Sequence, residues 1–331
     1  MSDSTVLVTG GAGYLGSILT RQLLDDGHDV VVLDRFLFGD NALAELRDDD
    51  SLTIIEGDVR DEDVLEDAVS RADDIVHMAA IVGDPACSDA VDEAIETNLD
   101  ATVRTKQLAA EHDVSQFVFV STCSVYGNSE TGSMLDETSP VNPVSVYAQT
   151  KQLAETSLLE EPMGLDVTAL RLATVYGLSP RPRFDLVVNL LTKMAVEQGT
   201  GTIFGGDQWR PFIHTRDVAR GIRAVLDAPA EDVGGEVFNV GRDDENYTMA
   251  EVGKLIDDAV PEADVTVDET VSDDRTYRVT FEKLREATGF VPEIRLPQGI
   301  DEIRDALETE AIEDPDSPLH LNHASGGKEV E

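Results

Sequence analysis

The chain has 331 residues, enough for one large or two moderate domains with a proper core. Its 67 acidic against 25 basic residues leave a net charge of −42, which makes nucleic acid and anionic membranes poor partners. The 41% of hydrophobic residues fall in periodic runs, against disorder, while two cysteines and six scattered histidines supply neither a disulfide framework nor a metal motif.

The N-terminal MSDSTVLVTGG has no basic n-region and enters a strand pattern at once, so no signal peptide and a cytoplasmic location are expected. TVLVT (5–9) is followed by a helical pattern with Leu15, Ile18, Leu19 and Leu23 on one face, and Gly27 marks its end. VVVL (30–33), LTIIEG (52–57), DIVHMAA (74–80), QFVFVS (116–121) and VTALRL (167–172) are further strands separated by helix-length segments. That alternation predicts an α/β fold, a parallel sheet with helices on both faces. After about residue 172 the alternation loosens at YGLSPRPRF, then RDVARGIRAVLDA (216–228) and EVFNVG (236–241) resume it. Helices are expected near 247–260, 281–288 and 297–308, and residues 313–331 read as a loose polar tail. The resulting division is a dinucleotide-binding domain of 1–172 plus about 210–243, and a smaller C-terminal α/β substrate lobe of about 173–209 plus 244–312. No run of about 18 apolar residues suggests a membrane span.

Two stretches carry chemistry. TGGAGYLG (9–16) places Gly11, Gly13 and Gly16 in G-x-G-x-x-G between the first strand and the first helix. Glycines there let the backbone turn and approach a pyrophosphate seated at a helix N-terminus, the signature of a Rossmann-type doubly wound sheet. Asp34, 18 residues past Gly16 at the end of the second strand, suits a ribose 2′-hydroxyl and would repel a 2′-phosphate, which favours NAD over NADP. Arg35 stands beside it. The second stretch is YAQTK (147–151), which puts Tyr147 and Lys151 at i and i+4 on one helix face. Alone, that pair reads as an ordinary helix-surface contact, although only six lysines occur in the chain.

Further marks are GDVRD (57–61), HMAA (77–80), Asn98, STCSVYG (121–127), LRLATVYG (170–177) and GGDQWRPFIHTRD (205–217). With these, the chain from about residue 5 to 308 resembles the extended short-chain dehydrogenase/reductase family. The likeness is to its NAD-dependent nucleotide-sugar epimerases and dehydratases, of the UDP-glucose 4-epimerase type. The resemblance implies Tyr147 as general base, Lys151 as its support, lowering the phenol's pKa together with a cationic nicotinamide, and Thr122 as hydrogen-bond partner of the reacting oxygen. It assigns the cofactor to Gly10, Gly11, Gly13, Gly16 and the turn residues Tyr14 and Leu15. Asp34 and Arg35 belong to the ribose end, Asp58 and Val59 to the adenine pocket, and Ala79, Ala80, Asn98 and Ala173 to the nicotinamide side, where Lys151 also bonds the ribose. Arg210 matches a diphosphate-binding arginine, Arg181, Arg183 and Arg275 are further candidates, and Thr122 and Thr174 face the sugar.

The chain departs from the family pattern in three places. Cys123 and Ser124 stand where dehydratases carry an acidic pair, Thr174 replaces an asparagine, and VSDDRTYRV lacks an Arg-Pro-Gly-Asp run. The expected reaction is therefore 4-epimerisation of a UDP-hexose or related nucleotide sugar. A dehydratase, a reductase of the same fold and a non-catalytic NAD sensor are the alternatives, the last disfavoured by the retained Tyr–Lys pair. Cys123 is expected to be a buried thiol. The resemblance also implies a homodimer through the segments 93–112 and 146–161. The acids recur along the whole chain, and such a surface repels itself unless salt screens it. At about 1 M salt the Debye length is roughly 3 Å, so adaptation to a concentrated-salt cytoplasm is expected.

Overall fold

The computed structural model describes residues 4–129, 133–268, 270 and 275–322. The valine-rich runs become strands whose two faces are both covered, with Val6, Leu7 and Val8 at most 1% exposed. Alternation sends Val6 and Val8 into a core with Leu19, Leu170 and Phe238, and Leu7 into the opposite core with Phe117, Phe119 and Leu158.

Seven strands form one parallel sheet. Their spatial order is Glu236–Val240, Asp166–Leu172, Gln116–Thr122, Asp74–His77, Thr5–Thr9, Asp29–Asp34 and Leu52–Glu56. The chain builds outward from Thr5–Thr9 in one direction, then returns to Asp74–His77 and builds in the other. Connections therefore leave the carboxyl ends of these two neighbours on opposite sides, opening the crevice in which doubly wound sheets bind ligands. The strand expected over 74–80 stops at His77 because Met78 and Ala79 turn to donate their N–H groups to Thr9 Oγ1, both at 3.1 Å.

Two helices position the site. Gly16–Asp25 follows the glycine turn and buries Ile18, Leu19 and Leu23, and Gly27, with φ +89°, carries the chain out of it. Val146–Glu160 starts at Ser145, whose side chain accepts from Ala148 N at 3.2 Å, and buries Ala148, Lys151, Ala154, Glu155 and Leu158.

The smaller lobe has its own core of Tyr176, Phe184, Phe212, Ile256 and Ile300, enclosed by helices Val187–Gln198, Met249–Ala259 and Leu296–Glu308. Its Trp209–His214 strand pairs with Thr174–Tyr176 and Asn246–Thr248. This strand bridges the two parts, with Ile213 packed in the core that holds Val6 and Val8 and Phe212 in that of the smaller lobe, and the helix Thr215–Leu226 follows it. The segment expected to be loose from 313 is packed as far as Asn322. Phe184 N donates to His320 O at 2.9 Å, and Lys193 Nζ reaches Asp316 Oδ1 at 2.5 Å. An aperiodic sequence rules out a regular element but not side-chain and backbone anchoring, which explains the difference. Residues 323–331 and Val271–Asp274 of VSDDRTYRV lie outside the described residues. No helix among the described residues is long and apolar enough to cross a membrane.

Candidate active site

A cavity of about 1200 Å³ opens at the carboxyl ends of the strands, between the sheet and the smaller lobe. Its floor is the glycine turn. Gly10 has φ +75°, and a Cβ on Gly16 would collide with the Gly10 carbonyl and come 2.6 Å from Gly11 Cα. Only glycine lets the first helix begin this close to the turn, and Gly13, Tyr14, Leu15 and Gly16 at its start line the cavity. Gly11 does not line the cavity, since its Cα abuts Val32, where a Cβ would sit 2.7 Å from a methyl. Asp34 accepts from Ala12 N at 2.9 Å and Phe36 N at 2.8 Å. Burial raises its pKa, and those N–H bonds and the Arg181 charge oppose the rise. A carboxylate has about four lone-pair sites, so Asp34 keeps capacity for ribose hydroxyls.

Val59, Ala79, Ala80, Ala173 and Arg35 lie on the cavity wall. Asp58 and Asn98 do not. Asp58 is held by Arg60 at 2.7 Å and Arg35 at 3.2 Å on the flank of the cavity, and Arg35 also reaches Glu93 at 3.2 Å. Asn98 is fully buried in a single π-helical turn, Glu96–Asp100. Its amide accepts from Ile81 N at 2.8 Å and donates to Ile81 O at 3.0 Å. It thus braces the turn after Ala80, a positioning role in place of the expected contact with a nicotinamide. An amide matched to both backbone groups of one residue, with Nδ2 also reaching Thr150 Oγ1 at 3.3 Å, leaves little capacity for a ligand.

Thr122 ends its strand at the cavity, accepting from Ser124 N at 3.1 Å and hydrogen-bonding with the Tyr147 side chain. Tyr147 faces the cavity from the helix. Burial pushes its phenol well above the ordinary value, and the Cys87 and Asp84 charges add to this, while Arg183 and the Thr122 bond oppose it. Lys151 is committed elsewhere, donating to Val120 O at 2.8 Å with its ammonium 4.6 Å from the Phe119 ring centre. Burial lowers the Lys151 pKa to about 8, against the opposing pull of Cys87 and Glu155. Cys123 turns away as expected: its thiol is 1% exposed, donates to Arg171 O at 3.2 Å, and burial raises its pKa.

The opposite wall comes from distant parts of the chain. Arg210 lies with its guanidinium 5.1 Å from the Tyr277 ring centre and donates to Trp209 O at 2.8 Å and to Arg275 O. Arg275 is ion-paired with Asp84 from the loop after Asp74–His77. Thr174 lies on the same wall, and Ser124 Oγ is 3.5 Å from the Tyr277 hydroxyl. Arg181 and Arg183 are not part of this group. Arg183 pairs bidentately with Asp185 at 3.0 and 2.6 Å and sits 5.9 Å from the Tyr14 ring centre. Arg181 lies 3.7 Å over the Phe38 ring. Both stand beside the glycine turn.

Sequence reasoning missed Asp84, Tyr277 and the support beneath the catalytic strand. There Glu155 takes three hydrogen bonds from Arg171, at 3.2, 3.0 and 2.7 Å, and another from Ser121, while Arg171 reaches Tyr126 at 3.0 Å. Glu155 follows Lys151 by four residues on the buried helix face, so its position in the sequence was the available signal. Tyr14 had a signal only as part of the glycine turn. Its hydroxyl donates to Gly177 O at 2.7 Å and ties the cofactor side to the smaller lobe.

Residues 6–241 match the family described as the NAD dependent epimerase/dehydratase family. The chain is 34% identical to an uncharacterized UDP-glucose epimerase of Bacillus subtilis, over 76% of this chain and 81% of that one. Among solved structures, a UDP-glucose 4-epimerase of Thermotoga maritima with UDP-glucose superposes with TM-score 0.83 at 25% identity, covering 93% and 100% of the two chains. A dTDP-glucose 4,6-dehydratase of Streptomyces venezuelae with NAD bound superposes with TM-score 0.82 at 29% identity, covering 94% and 99%.

Proposed function

The chain belongs to the NAD-dependent epimerase/dehydratase family with NAD as its cofactor, and on that premise we propose that it is a nucleotide-sugar 4-epimerase. The glycine turn, Asp34 and the alanine-lined wall suit the cofactor: they offer a turn running into a helix start and an acid at its ribose end. Bound there, NAD supplies a hydride acceptor that later returns the hydride. Tyr147 Oη is the group that takes the proton of the sugar's C4 hydroxyl and gives it back, and the Thr122 hydroxyl holds the same oxygen. Arg210 and Arg275 meet the diphosphate, as planar donors suit phosphate oxygens.

One observation favours epimerisation over loss of water. The acids lining the cavity among the described residues are Asp34, Asp84 and Asp185: Asp34 is engaged by backbone N–H groups, Asp185 by Arg183, and Asp84 by Arg275 through one of its two oxygens. The two positions after Thr122 hold a buried thiol and a hydroxyl, Cys123 and Ser124. Nothing there protonates a leaving 6-hydroxyl. The test is incubation with a panel of nucleotide sugars in molar salt and chromatography of the products. Interconversion of a C4-epimer pair with no build-up of reduced cofactor is expected, and a product lighter by one water would overturn the reading.

The protein is also read as a homodimer adapted to salt. Ile95 and Leu153 are 38% and 50% exposed on the segments expected to form the interface, and the −42 charge is spread along the chain. A dimeric mass in molar KCl, and a Tm that rises from dilute to molar salt, are the expected outcomes.

A further inference from the structure

The cavity holds two arginine pairs, and their charges are balanced differently. Arg275 has Asp84 and Arg183 has Asp185. Arg181, 4% exposed, has no carboxylate within salt-bridge distance among the described residues. Its Nε donates to Leu319 O at 3.1 Å and its Nη1 to Asn322 Oδ1 at 2.6 Å, both neutral acceptors. Its Nη2 is buried with no hydrogen-bond partner among the described residues, and a phenyl ring, Phe38, covers one face of the guanidinium at 3.7 Å.

A buried cation with only neutral partners and one idle donor is costly unless an anion joins it. Burial lowers the Arg181 pKa to about 10, the like charge of Arg183 adds to this, and Asp185, Asp34 and Tyr14 oppose it. Arg181 lines the same cavity as Gly13, Tyr14, Leu15 and Gly16, and lies within electrostatic reach of both Tyr14 and Asp34. The helix start receives a pyrophosphate and the acid marks a ribose, so a dinucleotide's phosphates run between them.

We propose that Arg181 binds the pyrophosphate of NAD through Nη2, and that the C-terminal segment 318–322 is the strap that holds it in place. The assignment rests on NAD as cofactor and is independent of which sugar reaction follows. The strap is itself anchored. His320 O accepts from Phe184 N at 2.9 Å, and Ser317 Oγ accepts from Leu319 N at 3.4 Å. Leu319 and Asn322 thus occupy two of the guanidinium's sides and leave the third for a phosphate oxygen, a charge-assisted bond of the stronger kind. The far end of the chain thereby completes a site opened by its first twenty residues.

The substrate's diphosphate has the same chemistry, so the test separates the two sources. Calorimetric titration of the full chain with ADP-ribose, adenosine and UDP, at one fixed salt concentration, compares wild type with Arg181→Gln. ADP-ribose should bind at least about tenfold more weakly, with adenosine and UDP within about twofold. Loss for UDP with ADP-ribose retained would overturn the proposal, as would an equal loss for adenosine, which has no phosphate. Asn322→Asp keeps the shape of the strap and places a competing carboxylate on Arg181, so it guards against a variant that fails to fold. It should weaken ADP-ribose and spare adenosine. Unchanged ADP-ribose affinity in Asn322→Asp would refute the strap and its arginine together. Binding is the readout throughout, so a wrong assignment of the sugar reaction would leave these results unaltered.

Discussion

The two walls of the cavity are built by different means. The cofactor wall is mostly backbone: one turn of eight residues, a helix start and the end of the next strand, with Asp34 tied to Ala12 and Phe36. The opposite wall is side chains from sites far apart in sequence, among them Asp84, Thr174, Arg210, Arg275 and Tyr277. A backbone cradle tolerates little change, because its shape depends on glycines that a single Cβ would displace. Side chains carried on separate loops can be exchanged one at a time, which allows one scaffold to serve several sugar reactions. Tyr147 and Thr122 stand where the walls meet.

The largest expected effect is at that seam. Tyr147→Phe should lower turnover by about 10²–10⁴-fold or more while leaving NAD affinity and Tm close to wild type. Activity within tenfold of wild type would remove the tyrosine from its role.

A smaller effect should touch one wall only. Arg210→Gln is expected to weaken UDP binding about ten- to a hundredfold, the worth of one or two hydrogen bonds to a charged group, with NAD affinity unchanged. Equal losses for both ligands would show that the two walls are not separable.

On the cofactor wall, Asp34→Asn removes the charge that opposes a 2′-phosphate and keeps the shape. The preference for NAD over NADP should narrow about tenfold, since like charges a few ångströms apart repel by about 1 kcal/mol or more. Affinities for UDP should not move. An unchanged ratio of NAD to NADP affinity would place discrimination elsewhere.

A last effect, on stability and not on binding, concerns Lys151, whose folded pKa is about 8 against an ordinary 10.5. Below about pH 8 the amine is charged in both folded and unfolded chains, and the cost of burying it is present in full. Between about pH 8 and 10.5 it is neutral when folded and charged when unfolded, so folding releases a proton and stability rises with pH. Wild type should therefore gain Tm relative to Lys151→Met from pH 8 to pH 10. Parallel curves for the two proteins would show that Lys151 titrates at its ordinary value.

The sequence by itself determined the parallel sheet, the cofactor turn and the Tyr147–Lys151 pair. Strand alternation, a glycine at each tight contact and i, i+4 spacing are local rules that act within a few residues. The same rules set the strand ends to within a few residues, and missed the stop at His77 because Thr9, 68 residues earlier, supplies the acceptor that turns the chain. Only the tertiary structure decided which charges meet. It paired Arg275 with Asp84, 191 residues away, put Arg181 and Arg183 beside the cofactor turn, and gave Asn98 a bracing role behind the wall. It also drew residues 315–322, aperiodic and polar, against Arg181 and Phe184. An arginine's partner depends on where its loop is carried by the folded core, and a pattern read along the chain contains no information about that distance.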